Sequence, residues 1–217
     1  MRIFSLCKVA RFLERSNRFN INCAKYCFAS STMSKSALVL LAEGAEEMEF
    51  VVSVDILRRA GITTTVAGLN NTNPVICSRN VGIVPDMGFN DAVKKGPYDV
   101  VVLPGGLQGA KNLSASKEVK DLLKDQENSG RLIAAICAAP TVLKTHGIAK
   151  GKQITSYPSF EDDLVAGGYK YSEDDVVVDG KLITSRGPGT AFKFALRVAE
   201  QLVGEEVVER VAKGLLL

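Results

Sequence analysis

The sequence predicts an α/β fold, an open and mostly parallel sheet with helices on both faces. Three observations carry this. The short runs 37–41, 98–103 (YDVVVL) and 132–136 are almost wholly apolar, as suits parallel strands covered on both faces. They alternate with segments of helical spacing, the pattern of strand–helix–strand units. Asp179-Gly180, between two β-branched runs, is a hairpin signal and belongs at a sheet edge.

The elements follow in order. After the strand 37–41 and the turn Ala42-Glu43-Gly44-Ala45, the spacing of Met48, Val51, Val52, Val54, Ile56 and Leu57 predicts a helix over 46–59, stopped at Ala60-Gly61. Residues 62–67 read as a strand and 70–73 as a turn. The short runs 75–77 and 81–84 read as a hairpin, and 89–95 as a short helix ended by Gly96. Ser116 is placed to cap a helix to 128. Residues 153–156 form a strand, 159–166 a short helix, and 176–178 with 182–184 the Asp-Gly hairpin. Thr190 is expected to cap a long helix to 203, followed by another over 205–213.

Composition bounds the function. The 217 residues carry a net charge of +3, but residues 1–33 hold six basic side chains against Glu14 alone, so the rest of the chain stands at −2. That body offers no basic field for nucleic acid, and stable nucleic-acid binding is not expected. The five cysteines, at 7, 23, 27, 77 and 137, show neither metal-type nor disulfide-framework spacing, which points to a reducing compartment and no metal. No apolar run approaches the ~20 residues of a membrane span. Residues 1–33 are Arg-rich, Ser-containing and nearly acid-free, the composition of a mitochondrial transit peptide; an alternative start at Met33 is the other reading. The expected location is cytoplasmic, mitochondrial or both, with the folded domain over 34–217.

The chemistry concentrates at 131–143, RLIAAICAAPTVL. An apolar strand ends at Cys137, and Pro140 suits the first turn of the following helix. Small residues at 135 and 139 relieve crowding, giving the layout of a nucleophile elbow. The nearby helix start is expected to favour thiolate. In an open α/β sheet the site lies at the carboxyl ends of the strands, so the loops after Leu41 and Leu103 should converge on the sulfur. They bring Glu46, Glu47 or Glu49, and the backbone of Gly105-Gly106. The chain's one histidine, His146, stands nine residues beyond Cys137, roughly 13 Å along a regular helix, too far to act as its base. A glutamate kept protonated by an apolar pocket is the better partner. The N–H groups of Gly106 and Ala138 are placed for an oxyanion hole.

The motifs AEGAEEMEFVVSVDILRRAG, VICSR, PYDVVVLPGG, IAAICAAPTVL and ITSRGPGTAF resemble the DJ-one family, the Parkinson-disease protein deglycases of the ThiJ/PfpI superfamily, across residues 35–213. The resemblance implies a flavodoxin-like sandwich and a homodimer. It implies that Cys137 is the oxidation-prone nucleophile, Glu49 its protonated acid/base partner, and Gly106 and Ala138 the oxyanion donors. Gly105, Arg59, Arg79 and Tyr157 fall at substrate-binding or interface positions, and Cys77 at an interface cysteine with a redox role. Tyr157-Pro158 stands where the family has a pocket-edge histidine before proline, which bears on substrate scope. Arg186-Gly187-Pro188-Gly189-Thr190 matches an architectural turn.

Two functions follow as expectations. One is a cofactor-free deglycase or glyoxalase-type enzyme acting on methylglyoxal and on early glycation adducts of proteins and nucleotides. The other is a redox-sensing chaperone or stress regulator working through oxidation of Cys137. A peptidase or amidotransferase would want a Cys–His pair, which the spacing does not supply.

Overall fold

The computed structural model describes residues 34–70 and 73–217. The transit-peptide reading of 1–33 and the middle of the 70–73 turn lie outside the described residues. Residues 34–217 form one compact unit.

Seven strands make the main sheet. They are β1 (Ser36–Leu41), β2 (Thr63–Gly68), β5 (Met87–Gly88), β6 (Val100–Leu103), β7 (Leu132–Ile136), β10 (Val176–Asp179) and β11 (Leu182–Ser185). Their order is β10-β11-β7-β6-β1-β2-β5. All neighbouring pairs are parallel except β10 with β11, the expected Asp-Gly hairpin at one edge. Two small pairs stand apart, β3 (Val75–Ile76) with β4 (Gly82–Ile83) and β8 (Gln153–Ile154) with β9 (Lys170–Tyr171). The first is the hairpin expected between 75 and 84. The two-residue strands β5 and β9 escaped the sequence reading because two residues carry no periodicity.

Eight helices flank the sheet among the described residues: α1 (Glu47–Arg59), α2 (Phe89–Lys94), α3 (Leu107–Ala115), α4 (Lys117–Asn128), α5 (Pro140–His146), α6 (Glu161–Ala166), α7 (Ala191–Val203) and α8 (Glu205–Gly214). Side chains alternate across each strand, so each sheet face supplies half of the core. Val39, Leu41, Val100 and Val102 pack with Ile56, Leu57, Phe194 and Val198 of α1 and α7. Leu38, Leu40, Val101 and Leu103 pack with Leu113, Val119, Leu123 and Leu143 of α3, α4 and α5. Every residue of β6 is fully buried, and each such Val or Leu contributes about 1.5–3 kcal/mol by leaving water. That is why these runs carry no outward-facing polar residue. No helix among the described residues is long and apolar enough to cross a membrane.

Ser116 caps α4 as expected, accepting the Val119 N–H at 3.2 Å. Thr190 differs: it precedes α7 but makes no side-chain cap bond. Its Oγ1 instead accepts the Gly187 N–H at 3.1 Å and meets Ser185 Oγ at 2.6 Å. The hydroxyl therefore ties the 185–190 turn to the end of β11 rather than capping the helix.

Candidate active site

Three neighbouring strands, β7, β6 and β1, each end at the same edge of the sheet, and their loops meet there. At the end of β7 the chain turns sharply at Cys137, whose φ is +63°. This left-handed conformation costs an L-residue about 1–2 kcal/mol, and the surroundings impose it. The Cys137 N–H donates to Ser185 O at 3.0 Å, the Tyr157 N–H donates to Cys137 O at 2.9 Å, and the Ala139 N–H closes the turn on Ile136 O at 3.0 Å. The sulfur is thereby lifted off the sheet into a cleft of about 540 Å³. A strained, pinned cysteine at a strand-to-helix turn is the elbow the sequence predicted.

Of the three candidate glutamates, Glu49 reaches the sulfur. Glu46 stands at the N-cap of α1, and its Oε2 accepts the Glu49 N–H at 2.9 Å. One turn into the helix, Glu49 is 0% exposed, and its Oε2 accepts the Gly105 N–H at 2.8 Å. A methyl group on Gly105 would lie 2.6 Å from both Glu49 Oε2 and Cys137 Cβ. The pair can approach only because residue 105 has no side chain. Gly106 closes the same corner at φ +84°, where a Cβ would stand 2.3 Å from Gly44 O and 2.6 Å from Glu46 N. The β6 loop is thus pressed backbone-to-backbone on the β1 loop.

Burial governs the electrostatics of the pair. Burial pushes Glu49 up to about 7, against the Gly105 N–H and the sulfur. Burial and the Glu49 carboxylate push Cys137 up to about 12, while the N–H groups of Gly106 and Ala138 pull it down. Burial opposes charge on either group, and a charged Glu49 opposes ionisation of the sulfur further. Burial thus opposes the thiolate that the helix start is expected to favour. The seven-residue α5 begins three residues past Cys137, and burial outweighs it. Glu49 Oε1 has no hydrogen-bond partner of good geometry; its neighbour is the sulfur, close enough that each shifts the other.

The remaining candidates divide. Arg79 and Tyr157 line the cleft with Cys77. Glu47 fixes Arg79 from below, accepting its N–H at 2.7 Å and the Ser78 hydroxyl at 2.8 Å. Burial would raise Glu47, but its own backbone and these two donors hold it below its ordinary value. Cys77 is 3% exposed and pushed up to about 11 by burial and by Glu47, Glu43 and Glu46, so it keeps its proton at neutral pH. Arg59 is not at the cleft. It ends α1, ten residues beyond Glu49 and so roughly 15 Å along the axis, paired with Asp55 at 2.8 Å beside Arg210 and Val207. His146 is structural, as its spacing implied. Its Nε2–H donates to Leu113 O at 3.1 Å, and burial lowers its pKa. Leu107, Gln108 and Phe160, which the sequence reading does not single out, also line the cleft, as does Pro188 of the architectural turn. The rule that ligands sit just past strand ends would have pointed to the first two. Among the described residues no group of three His, Cys, Asp or Glu is placed to hold a metal.

The sequence pattern of the DJ-1/PfpI family matches residues 35–201. This chain belongs to that family. As a DJ-1/PfpI protein it is 59% identical over 184 residues to the Parkinson disease protein 7 homolog of Danio rerio, covering 84% of this chain and 97% of that one. It is 45% identical over 184 residues to the glutathione-independent glyoxalase DJR-1.2 of Caenorhabditis elegans, with 84% and 97% covered. The crystal structure of Drosophila melanogaster DJ-1beta superposes with a TM-score of 0.83 at 60% identity, covering 85% of this chain and 99% of that one. The DJ-1 fold is thus shared, and with it the flavodoxin-like architecture.

Proposed function

We propose that this DJ-1/PfpI protein is a cofactor-free enzyme of glyoxalase and deglycase type, acting on methylglyoxal and on the early adducts it forms with protein and nucleotide amines. The observation that carries this reading is the buried Glu49–Cys137 pair with two backbone N–H groups on the sulfur and no imidazole in reach. A relative at 45% identity is named a glutathione-independent glyoxalase, which supports the same reaction class here.

The steps balance without an external oxidant. Glu49 holds the proton lost by Cys137, and the thiolate adds to the aldehyde carbon. The C=O π pair moves to oxygen, where N–H groups of the loops receive the charge. Protonation gives a hemithioacetal. Transfer of the C1 proton to C2 through Glu49 converts it to the thioester of a 2-hydroxy acid. Water then cleaves the C–S bond and restores the thiol. A group near pKa 7 is suited to both directions of proton transfer at neutral pH. Cys137→Ala should abolish turnover of methylglyoxal and of a glycated peptide, and Glu49→Gln should lower it at least 100-fold; a Cys137→Ala protein as active as the parent ends the reading.

A second reading rests on Glu49 Oε1, the buried carboxyl oxygen with no partner. Two equivalents of peroxide convert a thiol to a sulfinic acid with release of two waters, and that product gives a protonated Oε1 an acceptor oxygen to donate to. On this reading Cys137 is also a redox sensor, and the chaperone or stress role expected from the sequence would be read out through it. Intact mass after mild peroxide should show a two-oxygen gain confined to Cys137; oxidation spread over other cysteines or none at all removes the idea.

A homodimer belongs to the same proposal. Met48 and Val51 of α1 and Ile76, Val81 and Val84 of the β3–β4 region are about half exposed or more, and the Glu47 bonds to Ser78 and Arg79 join the two segments into one surface. Light scattering should give about twice the chain's 23.3 kDa.

A further inference from the structure

The cleft over Cys137 has a mixed lining, polar at Ser78, Arg79 and Gln108 and apolar at Leu107, Tyr157 and Phe160. Leu107 is 58% exposed and Tyr157 48% exposed. Single exposed apolar residues need no explanation on an ordinary surface. These stand at the mouth of a cleft that holds the nucleophile, and their backbones are fixed to it. Leu107 directly follows Gly106, whose N–H acts on the sulfur. Tyr157 donates its N–H to Cys137 O at 2.9 Å, and Phe160 donates to Tyr157 O at 3.0 Å. The Tyr157 ring is braced from behind, with Cδ2 3.6 Å from where a Cβ on Gly187 would stand. A volume of about 540 Å³ falls in the range that holds drug-sized ligands, far more than a two- or three-carbon dicarbonyl fills.

We propose that the apolar part of this lining receives an aryl or branched alkyl group attached to the dicarbonyl, so that bulky 2-oxoaldehydes are preferred to methylglyoxal and Leu107 and Tyr157 set that preference. The inference rests on the glyoxalase-type reading above and deepens it. The reacting aldehyde carbon lies at the sulfur, the two oxygens face the loop N–H groups and the polar lining residues, and the substituent lies on Tyr157 and Leu107. Aromatic stacking and apolar burial then act on the substituent alone.

Phenylglyoxal and methylglyoxal are the probes. In the full chain, kcat/KM for phenylglyoxal should exceed that for methylglyoxal by about tenfold or more, the scale at which an apolar pocket discriminates. Tyr157→Ala and Leu107→Ser should each cut that ratio about tenfold, and Tyr157→Phe should retain it. A second readout needs no turnover: protection of Cys137 from iodoacetamide, followed by intact mass, should be stronger with mandelate than with lactate, and Tyr157→Ala should erase the difference. A parent that turns over methylglyoxal with a ratio near one, or variants that leave the ratio unchanged, overturn the apolar-lining inference and leave the proposed reaction standing. Turnover of neither probe with mandelate protection intact overturns the reaction and keeps the apolar-lining inference. Equal protection by mandelate and lactate overturns that inference whatever the kinetics.

Discussion

At the scale of single residues the site places two acids together where burial opposes charge on either. Glu49 makes the pH dependence definite. Its pKa is raised from 4.5 to about 7 in the fold, so the folded state holds the proton more tightly than the unfolded chain. The contribution to stability is full below pH 4.5 and is lost as pH rises through about 7. Glu49→Gln keeps a neutral shape throughout. Denaturant unfolding should show the variant gaining on the parent between pH 4.5 and 7, by on the order of 3 kcal/mol, with a plateau above; a pH-independent difference would contradict the buried acid. Gly105 gives the steric counterpart. An added methyl meets Cys137 Cβ, Glu49 Oε2 and Ile136 O at 2.6–2.9 Å, so Gly105→Ala should cost about 1–3 kcal/mol and lower kcat/KM at least tenfold. Gly189→Ala, where a methyl meets nothing within 4 Å, should stay within about 0.5 kcal/mol. The sequence made Cys137 legible through its small neighbours and Pro140. It left Glu46, Glu47 and Glu49 open on spacing alone, because the choice depends on which side of one helical turn faces the sheet.

At the scale of elements, capping chemistry separates what a local signal can and cannot reveal. Ser116 serves the helix directly after it, and its role was readable. Ser116→Ala should lower stability by about 1 kcal/mol, about 2–4 °C in Tm by calorimetry for a chain of this size, and Ser116→Asp should hold the parent value. Thr190 looked the same in sequence but is drawn to Ser185 and Gly187 by the tertiary fold, a competition no local pattern records. Helix α3 was missed outright. It starts at Gly106 without a side-chain cap, and its buried residues Gly109, Ala110 and Leu113 are too small and few to show a periodic stripe. That omission hid Leu107 and Gln108, which help line the cleft. Arg59 lies away from this chain's cleft because α1 begins at the site and carries its last turn away from it.

At the scale of the molecule, the alternation of apolar strands with helices was enough to fix the architecture, since runs such as VVVL at 100–103 tolerate burial on both faces and little else. What could not be read was where the short pieces dock, because β5 is a two-residue addition at the sheet edge and β8 and β9 pair apart from that sheet. The basic segment 1–33 stands outside the family match at 35–201, and the Drosophila structure is covered over 99% of its length by the matched part of this chain. A chain starting at Ser34 should therefore fold with a Tm within about 2 °C of the full protein, less than a 1 kcal/mol change would produce. A larger drop would show that residues 1–33 contribute to stability. Fusing 1–33 to a fluorescent reporter tests the import reading separately.

The three loops that meet at the sulfur leave from β7, β6 and β1, adjacent strands in the middle of the sheet. Amides there should exchange with deuterium only through global unfolding, whereas those of the rim strands β5 and β10 exchange through local fraying. Warming therefore has no gradual way to scatter the reactive groups while the sheet survives. Loss of activity and loss of fold should fall on one melting curve.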